Sequence, residues 1–329
     1  MASLLIAGSK LAQTSRLRGL SFRRRSEPYR PEPSLAEDAE TVKQVTELLL
    51  WTEIEEWQQH GSDHVQTGYR RATASVADCL SSWLYIHNET VNIWSHIIGA
   101  LLFLSLPIYV FSISIPPRYH VATATDIIVC STYFLGVAVC FALSTVFHTF
   151  MSHSQALYLL GMKFDFQGVL VLMWSATVPL IYYTFPCDGR LIKFYIGLFT
   201  VLATACSAVT FLPRFSGPHL GPYRAALFGS FGFGSFALPI VHGLFREGLG
   251  EMWEKVGLGW ILATVASNGI GVGVYSVKFP EKWFPQRFDL FGASHQLMHI
   301  CVVAAALTYT CAVMQAFDYR HYQGMDCKL

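Results

Sequence analysis

Seven stretches of this chain, each at least twenty residues long, contain no Asp, Glu, Lys or Arg: 90–117, 127–162, 166–187, 194–213, 225–245, 256–277 and 290–317. A helix needs about 20 apolar residues to cross the ~30 Å hydrocarbon core of a bilayer. Each run therefore holds one spanning helix, and 127–162 is too short for two helices and a turn. The fold class is an all-α integral membrane protein, a seven-transmembrane helix bundle. Its helices are expected at about 91–112, 125–148, 165–184, 192–212, 224–244, 257–277 and 294–316. Composition agrees: 14% of the residues are charged and 53% hydrophobic, against roughly 25% charged in a soluble domain. A net charge of +1 points to no acidic or nucleic-acid partner. Any chemistry must be built from polar groups in or beside the helices, where they are rare and usually functional.

The rest of the chain divides into a basic arm (1–35), a cytoplasmic amphipathic or interfacial segment (36–89) and a short tail (318–329) around the transmembrane domain at 90–317. The arm carries Arg16, Arg18, Arg23, Arg24, Arg25 and Arg30 with Glu27 as its one acid before residue 32. It reads as a disordered arm near anionic headgroups, with a mitochondrial presequence as the alternative. Val42, Val45, Leu48, Leu49 and Ile54 follow helical spacing, so 36–59 is expected to form an acidic surface helix or a partner-binding one. Residues 72–87 are expected to form a short interfacial helix with Trp83 and Tyr85 at headgroup level. The eight cysteines show no CxxC pair, so no thiolate metal site is implied, although Cys187 and Cys327 fall on one side and can be bridged. Lys and Arg near the helix ends are almost balanced between the two sides. A long hydrophilic head without a signal peptide places the N-terminus in the cytosol and, with seven crossings, the C-terminus outside or in a lumen. The protein is expected in the plasma membrane or the endoplasmic reticulum.

Three of the twelve histidines are not explained by hydrophilic or interfacial sequence. His148 ends the second helix, whereas His295 and His299 open the seventh, four residues apart and on one helical face. Ser144 and His148 stand in the same relation, and Asp165 is expected to open the third helix. The parity of the crossings puts all of these at one membrane end, whichever way the protein is inserted. Imidazoles and a carboxylate are ligand types of Zn²⁺, and three protein ligands leave the open fourth position of a catalytic site. Each piece also has a plainer role. Helical histidines fill space between helices, Asp165 can cap a helix, and Ser144 can bond its own backbone. Asn92 and His96, also four apart, face the bundle, where they can bond between helices or touch a substrate.

The strings TGYR (67–70), HNETVNIWSH (87–96), STVFHTF (144–150), PEKWFPQRFD (280–289) and SHQLMH (294–299) resemble the progestin and adiponectin receptor family, also called the adiponectin receptor and hemolysin III superfamily. The likeness runs from about residue 54 to 317 and is nearest to fungal members of the Izh type. It implies seven helices with a cytoplasmic N-terminus, and a Zn²⁺ ion held by His148, His295 and His299, with Asp165 holding the water and Ser144 nearby. It also implies a ceramidase-like amide hydrolase with a ceramide-like or sterol-like lipid as substrate or ligand, and a role in lipid, sterol and zinc homeostasis. The alternative is a membrane receptor or sensor with a structural zinc and an unknown protein ligand. Arg71 and Phe166 stand where the family commonly has Pro and Tyr. A channel fits poorly, because few helices offer charges for an ion path.

Overall fold

The computed structural model describes residues 47–59, 62–114, 117–212 and 221–322. The basic arm and the first half of the expected acidic helix lie outside them. The described residues form nine α-helices and no strands. These are α1 Val76–Ser81, α2 Thr90–Ile108, α3 Ala124–Phe150, α4 Gln155–Thr184, α5 Gly189–Phe211, α6 Gly221–Glu247, α7 Leu249–Lys255, α8 Leu258–Val277 and α9 Ser294–Tyr322. Seven of them, α2 to α6 with α8 and α9, are long and apolar enough to cross a membrane. Leu101 on α2, Val201 on α5 and Val265 on α8 are exposed apolar side chains of the kind that face lipid. The protein is an integral, multi-pass membrane protein.

Local chemistry sets several helix starts. The Thr123 hydroxyl accepts from the Asp126 amide while the Asp126 carboxylate accepts from the Thr123 amide, a capping box at α3. Asp188 caps α5 by accepting from the Leu191 amide. Pro107 lies one residue from the end of α2, which continues as a π-helical turn over Tyr109–Ile113; proline lacks the donor a regular turn needs.

Between helices in lipid, apolar burial gives little preference, so close packing and hydrogen bonds must hold the bundle. Gly168 on α4 lies against the α3 backbone, where a Cβ would sit 3.0 Å from Cys140 Cα. Gly136 gives the Ser175 hydroxyl the space that its own Cβ would fill. The Tyr133 hydroxyl donates to the Ala306 carbonyl at 2.7 Å, and the Tyr309 hydroxyl to the Ala176 carbonyl at 2.6 Å. These bonds tie α9 to α3 and α4 through a core that includes Phe103, Phe134, Phe141 and Phe317.

Two expectations need correction. Helix α4 starts at Gln155, capped by Ser154, so Asp165 lies well inside it and does not open it. Lys163 and Asp165 end the charge-free run, but the helix carries both. Within 36–59, the described residues form no α-helix: Leu49 bridges to Tyr69 with backbone bonds of 2.8 and 3.1 Å, and a single 3₁₀ turn covers Glu56–Gln58. The bridge to Tyr69 of TGYR takes the backbone groups a helix would need. Of the two cysteines that can be bridged, Cys187 is disulfide-bonded, and Cys327 lies outside the described residues. The interfacial helix at 72–87 is present in shorter form, as α1 and a 3₁₀ turn over Ser82–Leu84.

Candidate metal centre

Antiparallel packing brings the last turn of α3 against the first turns of α9. His148, His295 and His299 each present a ring nitrogen there, and these atoms lie within 4.8 Å of one another. The His295 and His299 Nε2 atoms are 3.1 Å apart. The His148 Nε2 is buried with no hydrogen-bond partner. A buried polar atom left unpaired costs about 1–3 kcal/mol. Two facing Nε2 atoms and a third without a partner form a set that a divalent cation would satisfy at once. Three imidazoles fit Zn²⁺ in donor type and number, with one coordination position left over.

The outer contacts fix these rings. His148 Nδ1 lies 2.7 Å from Glu89 Oε2, which also accepts from the Asn92 side-chain Nδ2 at 2.6 Å. Burial alone would raise the Glu89 carboxyl, but its contacts with His148 hold it below the ordinary carboxylate range. His96 is stacked between Phe141 at 4.6 Å and His299 at 4.0 Å between ring centroids. Both ring nitrogens of His96 and Asn92 Oδ1 are buried without partners.

The backbone carrying the ligands is clamped by the loops. The buried Arg70 guanidinium donates to the His148 carbonyl at 2.5 Å, the Thr149 carbonyl at 2.9 Å and the Ser82 hydroxyl at 2.8 Å. The first turn of α9 is held by Glu281, which accepts from the Ser294 amide and hydroxyl at 2.8 and 2.5 Å. Gln296 donates to the Asn88 carbonyl at 2.8 Å, joining α9 to the start of α2. Asp289 accepts from the Gln66 amide and the Thr67 hydroxyl at 3.0 and 2.9 Å.

Ser144 is buried one turn before His148 on α3. The Asp165 carboxyl faces the Ser144 hydroxyl and lies within electrostatic reach of His148. Gly161 packs on Phe147 and Gly168 on Cys140. That register sets Asp165 about one and a half helical turns, ~7 Å, deeper in the bundle than His148. The three histidines, Asp165 and Ser144 therefore meet at one end of the bundle. Glu89 and Arg70 were not singled out. Both lie in noted strings, HNETVNIWSH and TGYR, but a carboxylate beside a helix start and a loop arginine give no sign of a distant partner.

The fold and this cluster define a class: a seven-helix membrane protein with a histidine centre that could hold a metal, at one end of the bundle. Residues 84–310 match the haemolysin-III related family. The chain is 34% identical over 286 residues to the ADIPOR-like receptor IZH2 of Saccharomyces cerevisiae, covering 87% of this chain and 89% of that one. It is 32% identical to the adiponectin receptor protein of Drosophila melanogaster, covering 87% of this chain and 64% of that one. Heptahelical transmembrane protein 4 of Arabidopsis thaliana is 28% identical, with 78% and 85% covered. The chain belongs to the haemolysin-III related family and is adiponectin-receptor-like.

Proposed function

We propose that this protein is a zinc-dependent hydrolase of a long-chain lipid amide, ceramide-like in type, working inside the membrane with its histidine end toward the cytosol. The observation that carries this is one arrangement: three imidazoles with ligand atoms within 4.8 Å, and a carboxyl facing a hydroxyl about one and a half turns deeper. His148, His295 and His299 would hold the zinc. When bound, zinc supplies Lewis acidity and brings water within reach of deprotonation near neutral pH. Asp165 would take the proton from the attacking water at its carboxylate and return it to the leaving amine nitrogen, and the Ser144 hydroxyl would hold that carboxyl in place. The products are a free fatty acid and an amine with a long chain. The amide enters with its tails still in hydrocarbon, because the centre sits between helices.

Asp165→Asn tests this. The amide still accepts a hydrogen bond but takes no proton, and general acid–base catalysis is worth roughly 10²–10⁴-fold. The variant is expected to keep its zinc and lose fatty-acid release from a ceramide-like substrate by about that factor. Unchanged turnover would remove Asp165 from the chemistry. The names of the relatives, two of them receptors, favour a second reading as a receptor or sensor with structural zinc. Wild-type protein that holds zinc but releases no fatty acid from any long-chain amide would establish it instead.

A further inference from the structure

Glu89 is the residue before α2, yet its side chain makes no capping bond to its own helix. One of its oxygens, Oε2, instead meets both His148 Nδ1 at 2.7 Å and the Asn92 side-chain Nδ2 at 2.6 Å. We infer that Glu89 is a positioning residue that orients His148 and strengthens it as a metal ligand, an inference that rests on the zinc reading above. A carboxylate can only accept, so the His148 proton must sit on Nδ1. That leaves the Nε2 lone pair free, and Nε2 is the buried atom with no partner.

The physical effect is twofold. The hydrogen bond selects the tautomer and the ring angle, and the negative charge makes the imidazole a stronger donor. Asn92 keeps the carboxylate from turning back to cap α2. Glu89 thereby joins α2, which supplies no ligand, to the metal centre of α3 and α9. Loss of such an outer partner typically lowers metal affinity by about 10–100-fold.

The test is zinc affinity, measured by chelator competition on purified full-length wild type, Glu89→Gln and Asn92→Ala, with the melting temperature of each zinc-free protein recorded beside it. Gln keeps the acceptor and removes the charge. Glu89→Gln is expected to bind zinc about 10–100-fold more weakly, with the zinc-free melting temperature little changed. Asn92→Ala, which leaves the charge, is expected to lose less. Wild-type affinity in Glu89→Gln would overturn the inference and leave the zinc reading standing. Loss of an oxygen ligand in its X-ray absorption spectrum would also overturn it, by making Glu89 a direct ligand. No zinc in the wild type would remove the zinc reading itself. If Glu89→Gln does not fold, the His148 tautomer in the zinc-loaded wild type decides, read from ring ¹⁵N shifts. Metal on Nε2 with a proton on Nδ1 supports the role, whereas metal on Nδ1 overturns it.

Discussion

At the scale of single residues, two kinds of side chain make the centre: those whose atoms face the metal position and those that hold the backbone behind them. Replacing His148, His295 or His299 with Ala is expected to weaken zinc binding in each case, and the triple variant should purify without zinc by elemental analysis. Full occupancy there would remove the assignment. Arg70 is of the second kind. Its guanidinium holds the carbonyls of His148 and Thr149 from a buried position, and bonds to charged donors are worth about 1.5–3 kcal/mol each. Arg70→Met leaves both carbonyls unpaired. It should lower the melting temperature in detergent even when zinc is absent, and a wild-type value would show that water replaces the guanidinium at no cost. The contrast explains what could be read beforehand. The histidines announce themselves by spacing and membrane side. Glu89 and Arg70 act on His148 from 59 and 78 residues away, and no local pattern encodes such a pairing.

Elements carry the next level of control, since the register of α3 against α4 decides whether Asp165 meets Ser144. That register depends on Gly168, where an added Cβ would lie 3.0 Å from Cys140 Cα and 3.1 Å from its carbonyl oxygen. Neither backbone atom can turn aside as a side chain would. Gly168→Ala should therefore push α4 outward at a cost of about 1–3 kcal/mol. It should reduce turnover while the histidines, all on α3 and α9, keep their zinc. Lower stability together with lost zinc would mean that the α3–α4 contact also fixes the ligands. The existence of seven long helices was legible because twenty apolar residues have few other uses. Boundaries were less so, because helix α4 carries Lys163 and Asp165 through its first turns and absorbs the charges that seemed to mark its start. The acidic segment misled for another reason. Its apolar spacing is real, and Ile54 is buried, but Leu49 spends its backbone bonds on Tyr69, a partner twenty positions away that helical periodicity does not reveal.

Across the whole molecule, the two ends of the bundle differ in chemistry, and the difference bears on orientation. The histidines and the loops that clamp them occupy one end. The other holds the connection between α4 and α5, where Cys187 is disulfide-bonded. Disulfides persist in oxidising compartments and are rare in the cytosol. The Cys187 end is therefore expected to face the cell exterior or a lumen, and the histidine end the cytosol, in keeping with a cytosolic N-terminus and seven crossings. An epitope tag at residue 1 should be reached by antibody only after the membrane holding the protein is permeabilised. Cys187 should react with an impermeant maleimide from the exterior or lumenal face, and only after reduction. Antibody binding to the tag in intact cells or vesicles of known sidedness would invert the molecule and put the histidine centre on the oxidising side. Its thiol-free ligand set would survive there, because imidazoles bind zinc irrespective of redox state. Inversion would thus leave the metal chemistry intact and change which compartment receives its products, so the tag experiment and the zinc measurement answer separate questions.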